Sequence, residues 1–143
     1  MPNEKLLHGD LTDQILRAFY HVHSSLGFGF LEKVYERAMM RTLQRAGYHV
    51  YRQMPVDVWF EGEVVGKYCA DLVVNQLVIV EVKAEESLHP RNEAQLVNYL
   101  RATPMEVGLL LNFGEKAIFR RKLFTNDRKP NLPPQRPSAS IPS

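Results

Sequence analysis

The stretch VVNQLVIVEVKAEE, residues 73 to 86, decides how the rest of the chain is read. Its centre, LVIV, has the unbroken aliphatic character of an interior strand, and Glu81 and Lys83 follow at once. An ionisable group on a buried strand costs several kcal/mol unless it is paired, hydrogen-bonded or bound to metal. Alternate strand residues share a face, so Glu81 and Lys83 project together while Val78, Val80 and Val82 face the other layer. Asp71 lies ten residues before Glu81, on the preceding strand, where antiparallel pairing sets the two carboxylates side by side. A strict two-residue loop at Asn75-Gln76 would oppose Asp71 to Val80 and send the carboxylates to opposite faces. An odd loop or bulge over 75 to 77 is therefore expected. Adjacent carboxylates repel, a hard divalent cation with oxygen ligands relieves that repulsion, and a lysine two residues on is placed to hold or polarise water. The constellation suits metal-assisted attack on a phosphodiester.

Outward from this strand, the periodicity predicts the remaining elements. Leu11, Ile15, Phe19, Val22 and Leu26 recur at helical spacing and mark a helix from about residue 10 to 26. Leu31, Val34, Tyr35, Ala38, Met39, Leu43 and Ala46 mark a second, which stops at Gly47. From Tyr48 the period changes to two, with Val56, Val58 and Phe60 on one face of a strand ending at the Glu61-Gly62 turn. Residues 64 to 74 form the return strand and 77 to 84 the third. A helix over 92 to 102, a fully buried strand over 106 to 113 and an edge strand over 116 to 124 complete the chain. The order ααβββαββ predicts an α/β fold, a mixed β-sheet flanked by helices. Residues 1–124 are expected to form one domain.

Residues 125–143 carry five of the nine prolines and hardly any large apolar residue, which predicts a disordered tail. That tail holds the whole net charge of +2, so the remainder is neutral and bulk charge gives no argument for nucleic-acid binding. The longest aliphatic runs fall far short of the roughly 18 residues of a spanning helix, so no membrane association is expected. The start, MPNEKLLHGD, lacks a basic segment followed by an apolar one, and a cytoplasmic location is expected. Cys69 is the only cysteine, which excludes an intrachain disulfide and a Cys-rich zinc site. The five histidines do not form a ligand set.

Asp71 followed by Glu81-Val82-Lys83 resembles the D…(D/E)xK core of the PD-(D/E)xK nuclease superfamily, with Ala70 where the superfamily name has proline. Gln95 and Tyr99 in AQLVNYL resemble the Q-x-x-x-Y motif of its RecB-like branch. Gly29-Phe30-Leu31-Glu32-Lys33-Val34-Tyr35 is similar to the signature of the GxxExxY protein family, as are EAQLVNYLRAT and VGLLLNFG. The resemblance spans roughly residues 10 to 122 and implies a restriction-endonuclease-like core. It also implies a Mg²⁺- or Mn²⁺-dependent nuclease acting on nucleic acid, DNA above RNA. Asp71 and Glu81 would bind the metal, with the Val82 carbonyl as a further ligand and Glu32 contacting the metal or its water. Lys83 would act on the nucleophilic water, and Gln95 and Tyr99 would orient the site or the phosphate. Lys33, Arg37, Arg41 and Arg45, spaced every four residues, would form a phosphate track together with Arg120, Arg121 and Lys122.

Plainer readings stand beside these. Glu81 and Lys83 also suit a strand-end ion pair, Asp71 suits pairing with Lys67 or Lys83, and Glu32 suits the first turn of any helix. Tyr99 suits a core aromatic, and the basic stripe a solvated face. At the level of function, the alternative to a nuclease is a non-catalytic module that binds nucleic acid or protein while keeping the fold. The small size and neutral core favour a homodimer or a protein partner.

Overall fold

The computed structural model describes residues 6 to 130 and residue 132. Helices α1 (Gly9–Leu26) and α2 (Glu32–Arg45) come first. Gly47, at φ 96°, ends α2 in a left-handed turn in which its N–H reaches the Gln44 carbonyl and that of Tyr48 reaches the Leu43 carbonyl. Tyr48 is thereby committed to the helix cap, so the first strand, β1 (Val50–Phe60), starts two residues later than the alternation of apolar residues predicts. Glu61 and Gly62, both at positive φ, make the tight turn into β2 (Glu63–Val74). Strand β3 (Val78–Lys83), helix α3 (Pro90–Arg101), β4 (Val107–Phe113) and β5 (Ala117–Leu123) follow. Pro90 opens α3, and the His89 ring accepts the Arg91 N–H at 3.1 Å.

The five strands lie in the order β1-β2-β3-β4-β5. Only β3 and β4 are parallel, and α3 is the crossover that joins them. Two cores sandwich the sheet. Ile15, Phe19, Tyr35, Met39 and Leu43 of α1 and α2 pack on Leu72, Val74, Val78, Val80, Val82 and alternate residues of β4. On the other side, Leu96, Tyr99 and Leu100 of α3 pack on Val73, Ile79 and Leu110. Gly108 allows the close approach of α3, since a β-carbon there would lie 2.6 Å from Leu96. The fold is the mixed, helix-flanked α/β sheet with the element order ααβββαββ that the periodicity predicts.

Two departures from that reading are local. Val56 is buried, but Val58 is half-buried and Phe60 exposed, because the β1–β2 register slips between Val58 and Trp59. Of the disordered tail expected from residue 125, residues 131 and 133 to 143 lie outside the described residues. Within them, Asn126–Arg128 form a 3₁₀ turn, and the Lys129 amine is buried, donating to the carbonyls of Thr103 and Met105 at 2.8 and 2.7 Å. Burial pulls that amine down to about 8.

Candidate active site

Strands β2 and β3 pair at Val74 with Val78, Val73 with Ile79 and Leu72 with Val80, across a three-residue loop of Asn75, Gln76 and Leu77. Asn75 and Gln76 both adopt positive φ, and the Leu77 N–H closes the turn on the Val74 carbonyl at 3.0 Å. This is the odd loop expected over residues 75 to 77. Continued by one step, the register sets Asp71 beside Glu81. There the backbone ladder stops and the carboxylates replace it. The Asp71 N–H donates to Glu81 Oε2 and the Val82 N–H to Asp71 Oδ2, both at 2.8 Å.

The pleat breaks at the same level. Ala70 and Leu72, two residues apart, belong to opposite cores. Across from Asp71 on β1, Gln53 has a left-handed backbone at φ 57°, a conformation that disfavours a residue with a side chain. The result is that Arg52 and Gln53, consecutive in a strand, both reach Glu36 on α2 at 2.8 Å. Gln53 Nε2 also lies 3.5 Å from Asp71 Oδ1.

The carboxylate pair, Glu81 buried and Asp71 half-buried, is drawn from water with little compensation. Burial, then the charge of Asp71, pushes the Glu81 carboxyl up to about 8. Burial likewise raises that of Asp71, opposed chiefly by its bond from Val82, with Glu36 and Glu32 adding repulsion. Lys83, half-buried at the end of β3, lowers both, yet none of the ion pairs among the described residues includes it. Tyr99 is buried on α3, and its hydroxyl, which accepts a bond from Gln95 Nε2 at 2.8 Å, is pushed up to about 12 by burial and by the charge of Glu81.

The structure thus brings Asp71, Glu81, Val82 and Lys83 together, with Tyr99 and Gln95 beside them. Glu32 is exposed at the start of α2, and its charge reaches Asp71 weakly. The buried acid on that helix is Glu36, one turn further on and 4% exposed, which the pattern of residues did not single out. Its signal was faint: a carboxylate next to Tyr35 on the inward face, four residues after Glu32. Tyr35 itself anchors the preceding loop. Its hydroxyl donates to the Gly27 carbonyl at 2.7 Å and accepts the Phe30 N–H at 3.3 Å, and its ring stacks on Phe113 at 4.4 Å.

The basic residues divide. Lys33, Arg37, Arg41 and Arg45 are exposed and absent from the ion pairs among the described residues. The other three do not join them in one track. Arg120 and Lys122 face α3 and pair with Glu93 at 3.7 and 2.7 Å, while Arg121, on the opposite face of β5, donates to the Leu7 carbonyl.

As a donor set, Asp71 and Glu81 suit a hard divalent cation. Each has one oxygen held by a backbone N–H and a second turned to no such partner, and their raised affinity for protons marks uncompensated negative charge. Among the described residues no group of three or more His, Cys, Asp or Glu side chains is gathered for metal binding. A cation here would complete its shell with carbonyl, water or phosphate oxygens, as Mg²⁺ commonly does.

The family model of the PD-(D/E)XK nuclease superfamily matches residues 9 to 122, and the chain belongs to that superfamily. Its five-stranded mixed sheet with flanking helices is the fold of those nucleases. No curated protein and no solved structure matches the chain. Among the described residues no helix is long and apolar enough to cross a membrane.

Proposed function

We propose that this protein is a Mg²⁺- or Mn²⁺-dependent nuclease that hydrolyses phosphodiester bonds in DNA, and that it groups with the GxxExxY proteins and the RecB-like branch whose motifs it resembles. The observation that carries the reading is the point where β2 and β3 part, with Asp71 and Glu81 side by side, underneutralised, and Lys83 next to them. Asp71, Glu81 and the Val82 carbonyl hold the cation, which when bound supplies Lewis acidity toward a phosphoryl oxygen. Lys83 holds the attacking water against the phosphorus. The bond from that water oxygen to phosphorus forms as the bond to the leaving sugar oxygen breaks, the attacking water gives a proton to solvent, and the leaving oxygen takes one from solvent to depart as an alcohol. Tyr99, positioned by Gln95, donates its hydroxyl toward the phosphate, and Lys33, Arg37, Arg41 and Arg45 supply contacts along the backbone.

A second reading has its own observation. Each carboxylate also caps a backbone N–H where the ladder ends, so the pair has a structural reason to persist in a module that binds nucleic acid without cutting it. Titration of Mg²⁺ or Mn²⁺ against single-stranded, duplex and branched nucleic acids separates the two. Lys83→Ala is expected to lose cleavage by about 10²- to 10⁴-fold while keeping the fold and most of the affinity. Binding without cleavage by wild type in either metal, unchanged in Lys83→Ala, would replace the nuclease with the binding module.

A further inference from the structure

A cleft of about 590 Å³ opens between the β1–β2 hairpin and α3, and Tyr99 and Gln95 connect it to the carboxylate pair. Its walls are aromatic: Trp59 and Tyr68 from the hairpin and Tyr99 from α3, with the Tyr68 and Tyr99 rings 6.0 Å apart. Val58 and Trp59 are consecutive strand residues that ought to face opposite ways, yet both line the cleft. The register slip falls between them. Tyr68 remains 51% exposed, so much of this aromatic surface is open to a ligand.

The polar groups in the cleft are of two kinds. Gln95 and Asn98 offer amides, each able to donate and accept, and Arg91 and Arg101 offer guanidiniums, that of Arg101 lying 4.8 Å over the Phe124 ring. Arg91 is absent from the ion pairs among the described residues, and no carboxylate lines the cleft. Flat aromatic faces, amides suited to base edges and guanidiniums suited to phosphate are together the chemistry of an unpaired nucleotide within a strand. A stacked duplex does not present the face of a base, so Trp59 and Tyr68 would be idle against it.

We infer that the cleft between the hairpin and α3 binds an unpaired nucleotide of a single strand, stacked on Trp59 and Tyr68, next to the scissile phosphate. The inference names the substrate class for the nuclease reading and rests on it. Single-stranded DNA, or duplex with a single-stranded branch or overhang, is then the preferred ligand over blunt duplex.

Trp59 is the only tryptophan, so its emission reports on the cleft directly. The test titrates the full chain, in chelator and without divalent cation, with oligothymidylate, with blunt duplex and with thymidine monophosphate. Oligothymidylate should quench Trp59 saturably and more tightly than duplex or mononucleotide. Tyr68→Ala, at an exposed position, should weaken it about tenfold at unchanged Tm, and Tyr68→Phe should restore it. Equal quenching by duplex, equal affinity for the mononucleotide, or no effect of Tyr68→Ala would overturn the cleft assignment. Cleavage is scored separately in Mg²⁺. Quenching without cleavage leaves the cleft standing and removes the nuclease, whereas cleavage of blunt duplex without quenching does the reverse.

Discussion

Asn112 on β4 and Glu81 on β3 are polar side chains on neighbouring central strands, 0% and 7% exposed. Asn112 uses both ends of its amide. Its Oδ1 accepts the Glu85 N–H and its Nδ2 donates to the Glu85 carbonyl, each at 2.9 Å, so the side chain continues the sheet into the loop after β3. Gly114 keeps that place open, because a β-carbon there would lie 2.6 Å from the Glu85 carbonyl. Glu81 has a single backbone donor, a carboxylate neighbour and a proton affinity raised to about 8. Burial of a polar group is therefore no sign of function in itself. The amide is matched inside the chain and strengthens it, whereas the carboxylate has a requirement that only a proton or a cation can meet.

The sharpest way to break this contrast is Asn112→Ala. It removes two partly buried hydrogen bonds and strands both backbone groups of Glu85, and should cost about 2 to 4 kcal/mol by chemical denaturation. A loss under about 0.5 kcal/mol would mean that water replaces the amide and that the two sites are alike.

Glu81→Gln should behave in the opposite sense. The folded wild type holds the Glu81 proton more tightly than the unfolded chain does, so in chelator its stability is greatest below the ordinary value of 4.5 and is lost as the pH rises through about 8. The variant should lack that decline, and so be the more stable protein at pH 8 or above, by a few kcal/mol. Parallel pH profiles for the two would show that the carboxylate is not under strain.

Metal should sharpen the comparison from the other side. At a hundredfold excess over its dissociation constant, Mn²⁺ should stabilise wild type by about 2.7 kcal/mol, seen as a higher Tm, and should leave Asp71→Ala unmoved. An equal response from both would place the cation elsewhere. The smallest effect is expected at the exposed stripe. Replacing Arg37 and Arg41 should weaken binding to all sequences alike and flatten its salt dependence by up to about one unit of slope for each phosphate left without its arginine, with the metal response unchanged.

Most of the fold could be read from periodicity, because both cores are built from residues that repeat at helical or alternating spacing, such as Ile15, Phe19 and Val22 or Val78, Val80 and Val82. The carboxylate pair was readable for another reason: one face of a strand and one constraint on loop length were enough to set Asp71 beside Glu81. What stayed hidden depends on neighbours distant in sequence. Glu36 meets Arg52 and Gln53 only because β1 breaks its pleat beside α2, and no local pattern announces a left-handed Gln53. Arg120 and Lys122 read as part of a phosphate track because their partner, Glu93, lies on an earlier helix. The slip at Val58 and Trp59 is equally silent, since both residues suit a regular strand.

The parting of β2 from β3 also has a mechanical side. β2 is twelve residues long but pairs with β3 only from Leu72 to Val74, so the hairpin projects past the rest of the sheet like a beam clamped near one end. Asp71 sits at the clamp, Tyr68 three residues out along β2 and Trp59 near the free end. A load placed on those rings would act about the root of the beam, where Asp71 stands beside Glu81 and their separation sets how well the two share a charge.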